Sequence, residues 1–407
     1  MKILSVCQYY WPTQMPVNDV CEQMAADGHQ VTVLTGLPNY PTGVIPEKYR
    51  HGKNRVEEHN GVKIIRCFEI GRKKGAVGLS LNYLSYAVAG GLKARFLKGD
   101  FDMVFAEETS PVTMVYPGIV YARRKKIPLF LYCCDIWPEC AKTMVGNEKS
   151  AAFRLITGIS TWIYRRADHI AVPSKSFYGY FQDLHGIPAS RMRFLPQYSP
   201  SDYVDRDFTP EGDVTDFVFL GNVGIAQDMG GLIEAVDKIR DLPRFHVHIV
   251  GEGSFLQEAK DLAREKGLEG LITFYGRRPY EEMPAFYKLA DVCLATLQAG
   301  SVISLTLPAK VQGYMAAGKP IIAALSGFAR EVIEESGAGL CVEPGNSTEL
   351  AQAMARFIRG EMDIPACGRR ARAYYQQHFT KEKFMASLYA QMEETRKAWS
   401  EKGGAAP

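Results

Sequence analysis

Two carboxylates stand just after a predicted strand. Asp135 and Glu139 enclose an Ile-Trp-Pro tripeptide and closely follow the apolar strand at residues 128–132. A charge beside an aromatic ring at the end of a strand is a common active-site arrangement. Asp135 and Glu139 are therefore candidate catalytic residues, the alternative being that Asp135 caps the next helix.

A glycine-containing segment follows another predicted strand, residues 217–220. It carries Gly221, Asn222, Gly224 and Gln227 and runs into a helical pattern. Backbone N–H groups of such a turn can approach an anion, which the helix dipole also favours. The segment predicts an anion-binding loop, with an ordinary tight turn as the alternative. It lacks the G-x-G-x-x-G spacing of a dinucleotide site.

A hydroxyl and a cation precede a later helix. Thr306 and Lys310 lie on either side of Pro308 and before the helical run 311–317, so hydroxyl, backbone amides and ammonium could converge on a phosphate. The alternative for Lys310 is a solvated surface charge. Residues 313–320 imitate a P-loop, but Pro320 stands where Ser or Thr should hold magnesium, which excludes that motif.

The first loop, residues 8–16, is long, polar, aromatic and stiffened by proline. Such a loop is suited to face a substrate, and Gln14, Met15 and Pro16 are its candidate contacts. A purely structural role is the alternative.

A basic triplet, Arg72-Lys73-Lys74, precedes the uncharged stretch 75–92, after which positive charges resume. Basic residues around an apolar, aromatic-containing helix suit an anionic membrane surface. Leu81 and Leu84 are candidate inserting residues, and a buried core helix is the alternative. Asn82, serines and glycines argue against a helix that spans the membrane.

The composition is that of a folded globular protein. The 407 residues suggest two or three domains, with 46% hydrophobic and 23% charged residues. A net charge of +3 is too small to indicate a nucleic-acid partner. Nine cysteines, an odd number without a C-x2-C pair, predict reduced core thiols in a cytosolic compartment. Residues 1–6 predict a buried strand rather than a signal peptide.

Short β-rich runs alternate with helical patterns in both halves of the chain. This alternation predicts an α/β protein with two doubly wound parallel-sheet domains. We place the first domain at residues 1–200, a linker at 201–215, the second domain at 216–379 and a final helical segment at 380–407. The stretch 196–216, which contains this linker, has three prolines and five aspartates and no apolar periodicity.

Neither a Ser–His–Asp order, nor H-E-x-x-H, nor an acidic metal cluster is visible in the sequence. His246 and His248, which lie in a predicted strand, are expected to be structural. We expect no metal and no bound cofactor.

Together the motifs resemble family 4 of the retaining, nucleotide-sugar-dependent glycosyltransferases, in the bacterial branch that builds O-antigen, capsule and exopolysaccharide. The likeness covers nearly the whole chain. Its carriers are residues 8–12 (QYYWP), 27–35 (DGHQVTVLT), 38–43 (PNYPTG), 135–139 (DIWPE), 171–174 (AVPS), 221–224 (GNVG), 250–253 (VGEG), 290–292 (ADV) and 308–320 (PAKVQGYMAAGKP).

The resemblance implies the GT-B fold, in which two Rossmann-like domains face a central cleft. It implies that the second domain binds the donor, with Arg277 near the base, residues 221–227 near the diphosphate and residues 304–310 near ribose and phosphate. The first domain would hold the acceptor, with Asn39 and Tyr40 on the acceptor side beside the first loop. The last helix would return to the first domain.

Two pairs of residues depart from the family pattern. Leu305 and Gly313 stand where family members carry a Glu-x7-Glu pair. Asn222 and Gln227 stand where an Arg and a Lys usually serve the diphosphate, and they donate hydrogen bonds without positive charge. The resemblance therefore implies altered donor recognition, with more of the phosphate charge left to Lys310.

The expected activity is transfer of a sugar from a UDP-sugar to a polyprenyl-diphosphate-linked saccharide, with retention of configuration. The nucleotide-sugar is a co-substrate, and the protein is expected to be cytoplasmic and peripheral on the inner membrane face. Two alternatives stay open: a soluble sugar-nucleotide epimerase, and a donor-blind scaffold subunit of a glycosyltransferase complex.

Overall fold

The computed structural model describes residues 1–73, 75–145, 149–199, 202–300, 305–401 and 403. The chain forms two compact units. The first comprises Met1–Pro173, Phe177–Leu195 and Ser387–Pro407, and the second comprises Ser174–Ser176 and Pro196–Ala386.

The first unit is built on an eight-stranded sheet in which all neighbours run parallel except β3 and β4. The strand order is β3-β4-β2-β1-β5-β6-β7-β8. The strands are β1 (Lys2–Val6), β2 (Gln30–Thr35), β3 (Val56–His59), β4 (Val62–Arg66), β5 (Met103–Glu108), β6 (Leu129–Cys133), β7 (His169–Val172) and β8 (Met192–Phe194). The helices are α1 (Pro16–Ala26), α2 (Ala76–Phe96), α3 (Tyr116–Lys125), α4 (Lys142–Val145), α5 (Ala151–Tyr164) and α6 (Phe177–His185).

The second unit is built on a six-stranded parallel sheet of order β11-β10-β9-β12-β13-β14. Its strands are β9 (Thr215–Leu220), β10 (Phe245–Val250), β11 (Ile272–Gly276), β12 (Val292–Thr296), β13 (Ile321–Ala324) and β14 (Gly339–Val342). Its helices are α7 (Met229–Lys238), α8 (Leu256–Glu265), α9 (Met283–Leu289), α10 (Ala309–Ala316), α11 (Phe328–Ser336), α12 (Ser347–Ile358) and α13 (Ile364–His378). The final helix, α14 (Lys381–Glu401), belongs to both units.

The predicted pair of doubly wound parallel sheets is confirmed. Helices cover both faces of such sheets, so their central strands are continuous apolar runs, as in Phe217, Phe219 and Val247, which are fully buried. In each sheet the strand order reverses beside the first strand of the unit, between β1 and β5 and between β9 and β12. Open α/β sheets bind ligands at the carboxyl ends of strands beside such a reversal.

The described part of the predicted linker, residues 202–215, packs into the second unit. The ring of Phe208 lies 5.6 Å from that of Tyr287 in α9, centroid to centroid, and Lys319 Nζ donates a hydrogen bond to the Phe208 carbonyl oxygen. The segment lacks apolar periodicity because it is held by the contacts of single aromatic side chains and not by one face of a helix or strand.

Candidate functional site

The loop after β9 lies at the strand-order reversal of the second sheet and packs closely on the loop after β10. Val223 N–H donates to the Glu252 carbonyl oxygen at 2.8 Å. A Cβ atom at Gly251 would lie 1.7 Å from the carbonyl oxygen of Gly221, and one at Gly253 would lie 2.3 Å from that of Val223. Only glycine allows this backbone-to-backbone approach, which fixes the loop that the sequence predicted to bind an anion.

Two of the predicted anion donors are used inside this loop. Asn222 Nδ2 and the Gly224 N–H both donate to Gln227 Oε1, at 2.9 and 3.1 Å. Gln227 therefore braces the turn, and these bonds leave its amide nitrogen and the second N–H of Asn222 Nδ2 as side-chain donors. An Arg and a Lys at positions 222 and 227 would bring two positive charges to a bound phosphate. This loop offers dipoles and N–H groups without charge instead.

Lys310 brings a cation to this edge of the sheet. Its Nζ lies 3.7 Å from the ring centroid of Phe219, the residue before the end of β9, and a Cβ at Gly221 would lie 3.1 Å from it. Among the described residues this ammonium is buried without a hydrogen-bond partner. Burial lowers the pKa of Lys310 to about 7. Lys310 is therefore not the solvated surface charge of the alternative interpretation.

The other predicted donor residues lie on neighbouring segments of the same sheet. Arg277 directly follows β11 and is exposed, and Thr306 is half-buried ahead of α10. The Gln298 N–H, after β12, donates to the carbonyl oxygen of Ala226 at 2.9 Å. Ser304, within the segment expected near ribose, lies outside the described residues.

In the first unit, Asp135 follows β6 and is half-buried. Ser110 Oγ donates to Asp135 Oδ2 at 2.8 Å, and Trp137 Nε1 donates to Ser110 Oγ at 3.2 Å. Burial raises the pKa of Asp135, and the Ser110 hydrogen bond opposes this. The hydroxyl thus orients one carboxylate oxygen and leaves the other able to meet a substrate.

Glu139 is held differently. Its Oε1 accepts a hydrogen bond from Tyr180 OH at 3.2 Å, and its carboxylate forms an ion pair with Lys142. The structure therefore places the two predicted catalytic carboxylates in unlike surroundings: Asp135 accepts from a hydroxyl, whereas Glu139 accepts from a hydroxyl and also pairs with a cation.

The predicted acceptor-side residues belong to two parts of the first unit. Asn39 is buried, its Oδ1 accepts from the Arg72 N–H at 3.0 Å, and the Arg72 guanidinium lies 5.3 Å from the Tyr40 ring centroid. Gln14 and Pro16 are exposed and Met15 is half-buried, and Pro16 begins α1.

The residues predicted to contact a membrane lie in and before α2. Leu81 and Leu84 are 49% and 55% exposed, and Arg72 and Lys73 precede the helix. Lys74 lies outside the described residues. Of the helices in the described ranges, none combines the length and the apolar character needed to cross a bilayer. The alternative of a fully buried helix is wrong, because one face of α2 is open.

The described parts of the chain contain no group of three or more His, Cys, Asp or Glu side chains that could hold a metal ion. All nine cysteines are free thiols.

Two family models match the chain side by side. The model described as a glycosyl transferase 4-like domain matches residues 15–197, and the model described as glycosyl transferases group 1 matches residues 204–375. Between them the two matches span most of the chain. The chain belongs to the group 1 glycosyltransferases. It is therefore a transferase of sugars.

This glycosyltransferase has relatives of known name and structure. Over 408 residues it is 24% identical to WcaI of Escherichia coli K12, assigned to colanic acid biosynthesis as a glycosyl transferase, covering 94% of this chain and 97% of WcaI. It is similar to sucrose-phosphate synthase of Thermosynechococcus elongatus, with a TM-score of 0.71, 18% identity and coverage of 98% and 99%. It is also similar to Anabaena HepE in complex with UDP, with a TM-score of 0.69, 16% identity and coverage of 97% and 100%. The GT-B fold is confirmed.

Sequence reasoning missed a buried carboxyl group beside the acceptor-side residues of the glycosyltransferase. Glu69 Oε1 accepts hydrogen bonds from Gln8 Nε2 at 2.7 Å and from Asn82 Nδ2 at 2.6 Å. Burial raises the pKa of Glu69 to about 8, although these hydrogen bonds lower it. These partners lie 61 and 13 residues away in sequence, so no local spacing could have brought them together.

Sequence reasoning also missed a pair of adjacent acids, Glu107 and Glu108, at the end of β5. Both are buried; burial raises the pKa of Glu107 to about 8 and raises that of Glu108 well above its usual value. The Asp135 charge raises the pKa of Glu108 further. Two adjacent acids closing an apolar strand were the signal that could have found them.

Proposed function

We propose that the protein transfers a sugar from a UDP-sugar to a lipid-linked saccharide, with retention of anomeric configuration, in the synthesis of a cell-surface polysaccharide. The relationship to WcaI supports the polysaccharide, and the structure of HepE with UDP supports the nucleotide. The buried, unpartnered ammonium of Lys310 beside the β9 loop is the observation that carries the proposal.

The donor diphosphate binds at the β9 loop. A buried ammonium without a partner is costly, and a phosphate oxygen at the Gly221 side of Lys310 would supply the missing hydrogen bond and the opposite charge. Backbone N–H groups of the loop and the amino end of α10 add dipoles of the favourable sign. Negative charge develops on the nucleotide as the sugar leaves, so these groups stabilise the transition state more than the ground state.

The acceptor binds in the first unit. Asp135, whose Oδ2 is oriented by Ser110, positions the acceptor hydroxyl or stabilises the positive charge that develops at the anomeric carbon. Asn39 and Tyr40 line the acceptor side near the buried Glu69 group. The loop carrying Gln14, Met15 and Pro16 completes this side.

The acceptor is membrane-bound, and α2 lies on the membrane surface. Asn82 and Tyr86 point from α2 into the unit, and Tyr86 OH donates to the Cys7 carbonyl oxygen at 2.9 Å. Leu81 and Leu84 point outward from the same turns. The helix thus places exposed leucines next to the carboxyl end of β1, where the acceptor site is proposed, with Arg72 and Lys73 at its start.

A panel of UDP-sugars, incubated with purified protein and with or without membrane lipid extract, tests the proposal. Release of UDP that requires lipid is the expected result. Conversion of one UDP-sugar into another without lipid would contradict it in favour of an epimerase. Absence of both binding and turnover across the panel would contradict it in favour of a scaffold subunit.

A further inference from the structure

Four arginines meet in a cavity on the first unit, at the opposite edge of the sheet from Asp135. The cavity has a volume of about 600 Å³ and is lined by Arg123, Arg165, Arg166, Arg191 and Gly186. Arg123 precedes β6, Arg165 and Arg166 precede β7, and Arg191 precedes β8. The arginines therefore gather at the amino ends of three neighbouring strands.

Main-chain carbonyl oxygens hold the side chains of Arg165, Arg166 and Arg191 in place. Arg165 Nε donates to the His185 carbonyl oxygen at 3.0 Å, and Arg191 Nη2 donates to that of Arg165 at 2.9 Å. Arg166 Nη1 donates to the Trp162 carbonyl oxygen at 3.0 Å. A Cβ atom at residue 186 would lie 2.9 Å from Arg165 Nη2, so the glycine there lets the guanidinium lie close to the backbone. Each guanidinium has five donors, and these bonds orient the groups while using only part of them.

The charges in the cavity are mostly of one sign. The pKa values of Arg166 and Arg191 are lowered first by burial and then by the neighbouring Arg123 guanidinium. The Asp168 carboxylate opposes this at Arg191, and its Oδ2 accepts a hydrogen bond from the Leu129 N–H at 2.8 Å. A dianion or monoanion in the cavity would relieve the repulsion among the four guanidinium groups.

An exposed apolar surface borders the cavity. The Arg166 guanidinium lies 3.8 Å from the ring centroid of Trp162, and Trp162 is exposed on α5 together with Leu155 and Ile159, at spacings of one helical face. The Trp162 ring lies 6.1 Å from that of Tyr116, which fits against Gly91 of α2.

The apolar surface continues along α2. We call the outward row of this helix the α2 stripe; its side chains are between 49% and 76% exposed. The stripe consists of Val77, Leu81, Leu84, Val88, Leu92 and Phe96. A contiguous row of this kind is unusual on a protein surrounded by water and marks an interaction surface. Aromatic rings with arginines beside them are typical of the boundary between acyl chains and headgroups.

We propose that the arginine cavity binds the phosphate group of an anionic phospholipid while the α2 stripe and the exposed face of α5 lie on the membrane. Arginine forks match phosphate oxygens bidentately, and the stacked Trp162 keeps Arg166 at the membrane boundary. The occupant is a lipid headgroup because the cavity opens beside exposed apolar side chains. This inference rests on the proposed membrane association, and it adds a lipid site that is separate from the acceptor site.

Vesicle binding by the full chain tests the inference. The protein is sedimented with vesicles of phosphatidylcholine, with and without phosphatidylglycerol. We expect Arg123→Gln/Arg166→Gln to weaken binding to phosphatidylglycerol vesicles about 25-fold, from about fivefold for each basic residue at the surface. The matched control Lys260→Gln/Arg264→Gln, which removes the same charge from α8 in the second unit, is expected to change binding less than about twofold. Thermal unfolding checks that each variant is folded.

A charge-conserving pair separates a built phosphate site from general attraction. Arg123→Lys/Arg166→Lys keeps the charge and removes the fork and the stacking, so it is expected to recover only part of the lost binding. Full recovery would overturn the phosphate site, as would equal losses in the two glutamine pairs.

A leucine pair separates the inference from the membrane association on which it rests. We expect Leu81→Ser/Leu84→Ser to release the protein from both kinds of vesicle. Loss of binding in this pair with normal binding of the glutamine pair would overturn the arginine site alone. Failure of the natural protein to bind either vesicle would overturn the membrane association as well.

Discussion

Lys310 Nζ stands 3.7 Å from the centre of the Phe219 ring, buried at the end of β9 and without a hydrogen-bond partner among the described residues. A second lysine of the same unit, Lys319, is also buried, but its Nζ donates to the carbonyl oxygens of Phe208 and Ala290. One ammonium is therefore satisfied by the fold and the other is left for a ligand.

We expect the same substitution, Lys to Met, to have opposite effects on the melting temperature at the two positions. Lys310→Met removes a buried charge without a partner, so we expect the melting temperature to rise, by about 2–4 °C for each kcal/mol recovered. The same change should weaken UDP binding about 10- to 100-fold, the usual range for a hydrogen bond to a charged group. Calorimetry of unfolding and of UDP binding measures both.

The control is Lys319→Met, which leaves two carbonyl oxygens without their donor. It should lower the melting temperature and affect UDP binding less than Lys310→Met does. A stabilised Lys310→Met protein that binds UDP normally would show that Lys310 is not the phosphate cation.

Donor affinity should depend on pH through Lys310. Its pKa of about 7 means that the free protein loses the ammonium charge as the pH rises above that value. UDP affinity should fall about tenfold for each pH unit above 7 in the natural protein, because the lysine must be reprotonated to bind phosphate. The second phosphate pKa lies near 6, so the phosphate groups of UDP are already ionised at the start of this window.

Loss of the Lys310 proton at higher pH lowers UDP affinity but is expected to raise the stability of the folded protein. Between about pH 7 and the usual pKa of lysine, the unfolded chain binds the proton and the folded chain does not. The contribution of Lys310 to the free energy of unfolding therefore rises with pH over that window. Lys310→Met should flatten both profiles, and UDP affinity that still falls with pH in this variant would assign the dependence to another group.

Asp135→Asn should lower turnover on the order of 100-fold while leaving UDP affinity unchanged, because the residue acts on the acceptor in the first unit. The amide oxygen still accepts from Ser110, so the variant keeps the local hydrogen bond. Steady-state kinetics and UDP titration check the two effects. Glu139→Gln is the comparison, and we expect it to cost less than about tenfold because Lys142 already pairs with that carboxylate. Unchanged turnover in Asp135→Asn would remove its catalytic role.

The buried carboxyl group of Glu69 should make the stability of the first unit depend on pH. Burial in the folded chain raises the pKa of Glu69 from its usual value of about 4.5 to about 8, so the folded chain holds a proton that the unfolded chain has lost across that window. The free energy of unfolding should therefore fall as the pH rises from about 4.5 to 8, with a slope of up to about 1.4 kcal/mol per unit from this residue. Glu69→Gln should reduce that slope by one proton in denaturant titrations. An unaltered slope would contradict the burial of a protonated Glu69, and Glu107→Gln serves as the parallel case.

The sheets could be predicted because each strand is recognisable from its own short stretch of sequence. Residues 217–220 and 129–132 are short apolar runs bounded by polar turns, which is the pattern of strands buried on both faces. The helix after residue 75 was also predictable, but its orientation was not. Its inward face carries Asn82, alanines and closely packed glycines while leucines point outward, so the usual contrast between apolar inside and polar outside is missing.

The candidate site was predictable at loops that follow strands and unpredictable where distant residues meet. The β9 loop and Lys310 were proposed from position alone, and the structure brings them together at one edge of the sheet. The use of Gln227 as a brace for its own loop depends on side-chain direction, which spacing does not fix. The arginine cavity joins residues from three connections that precede different strands, and each arginine alone reads as an ordinary surface charge.

The most direct test is the mass of the lipid-linked fraction after membrane lipid extract is incubated with one UDP-sugar at a time and either the natural protein or Lys310→Met. We expect one UDP-sugar to add a single sugar mass to a lipid-linked saccharide, with an equal amount of UDP released, and we expect Lys310→Met to lose most of this product. No added mass with any UDP-sugar, or equal product from Lys310→Met, would contradict it.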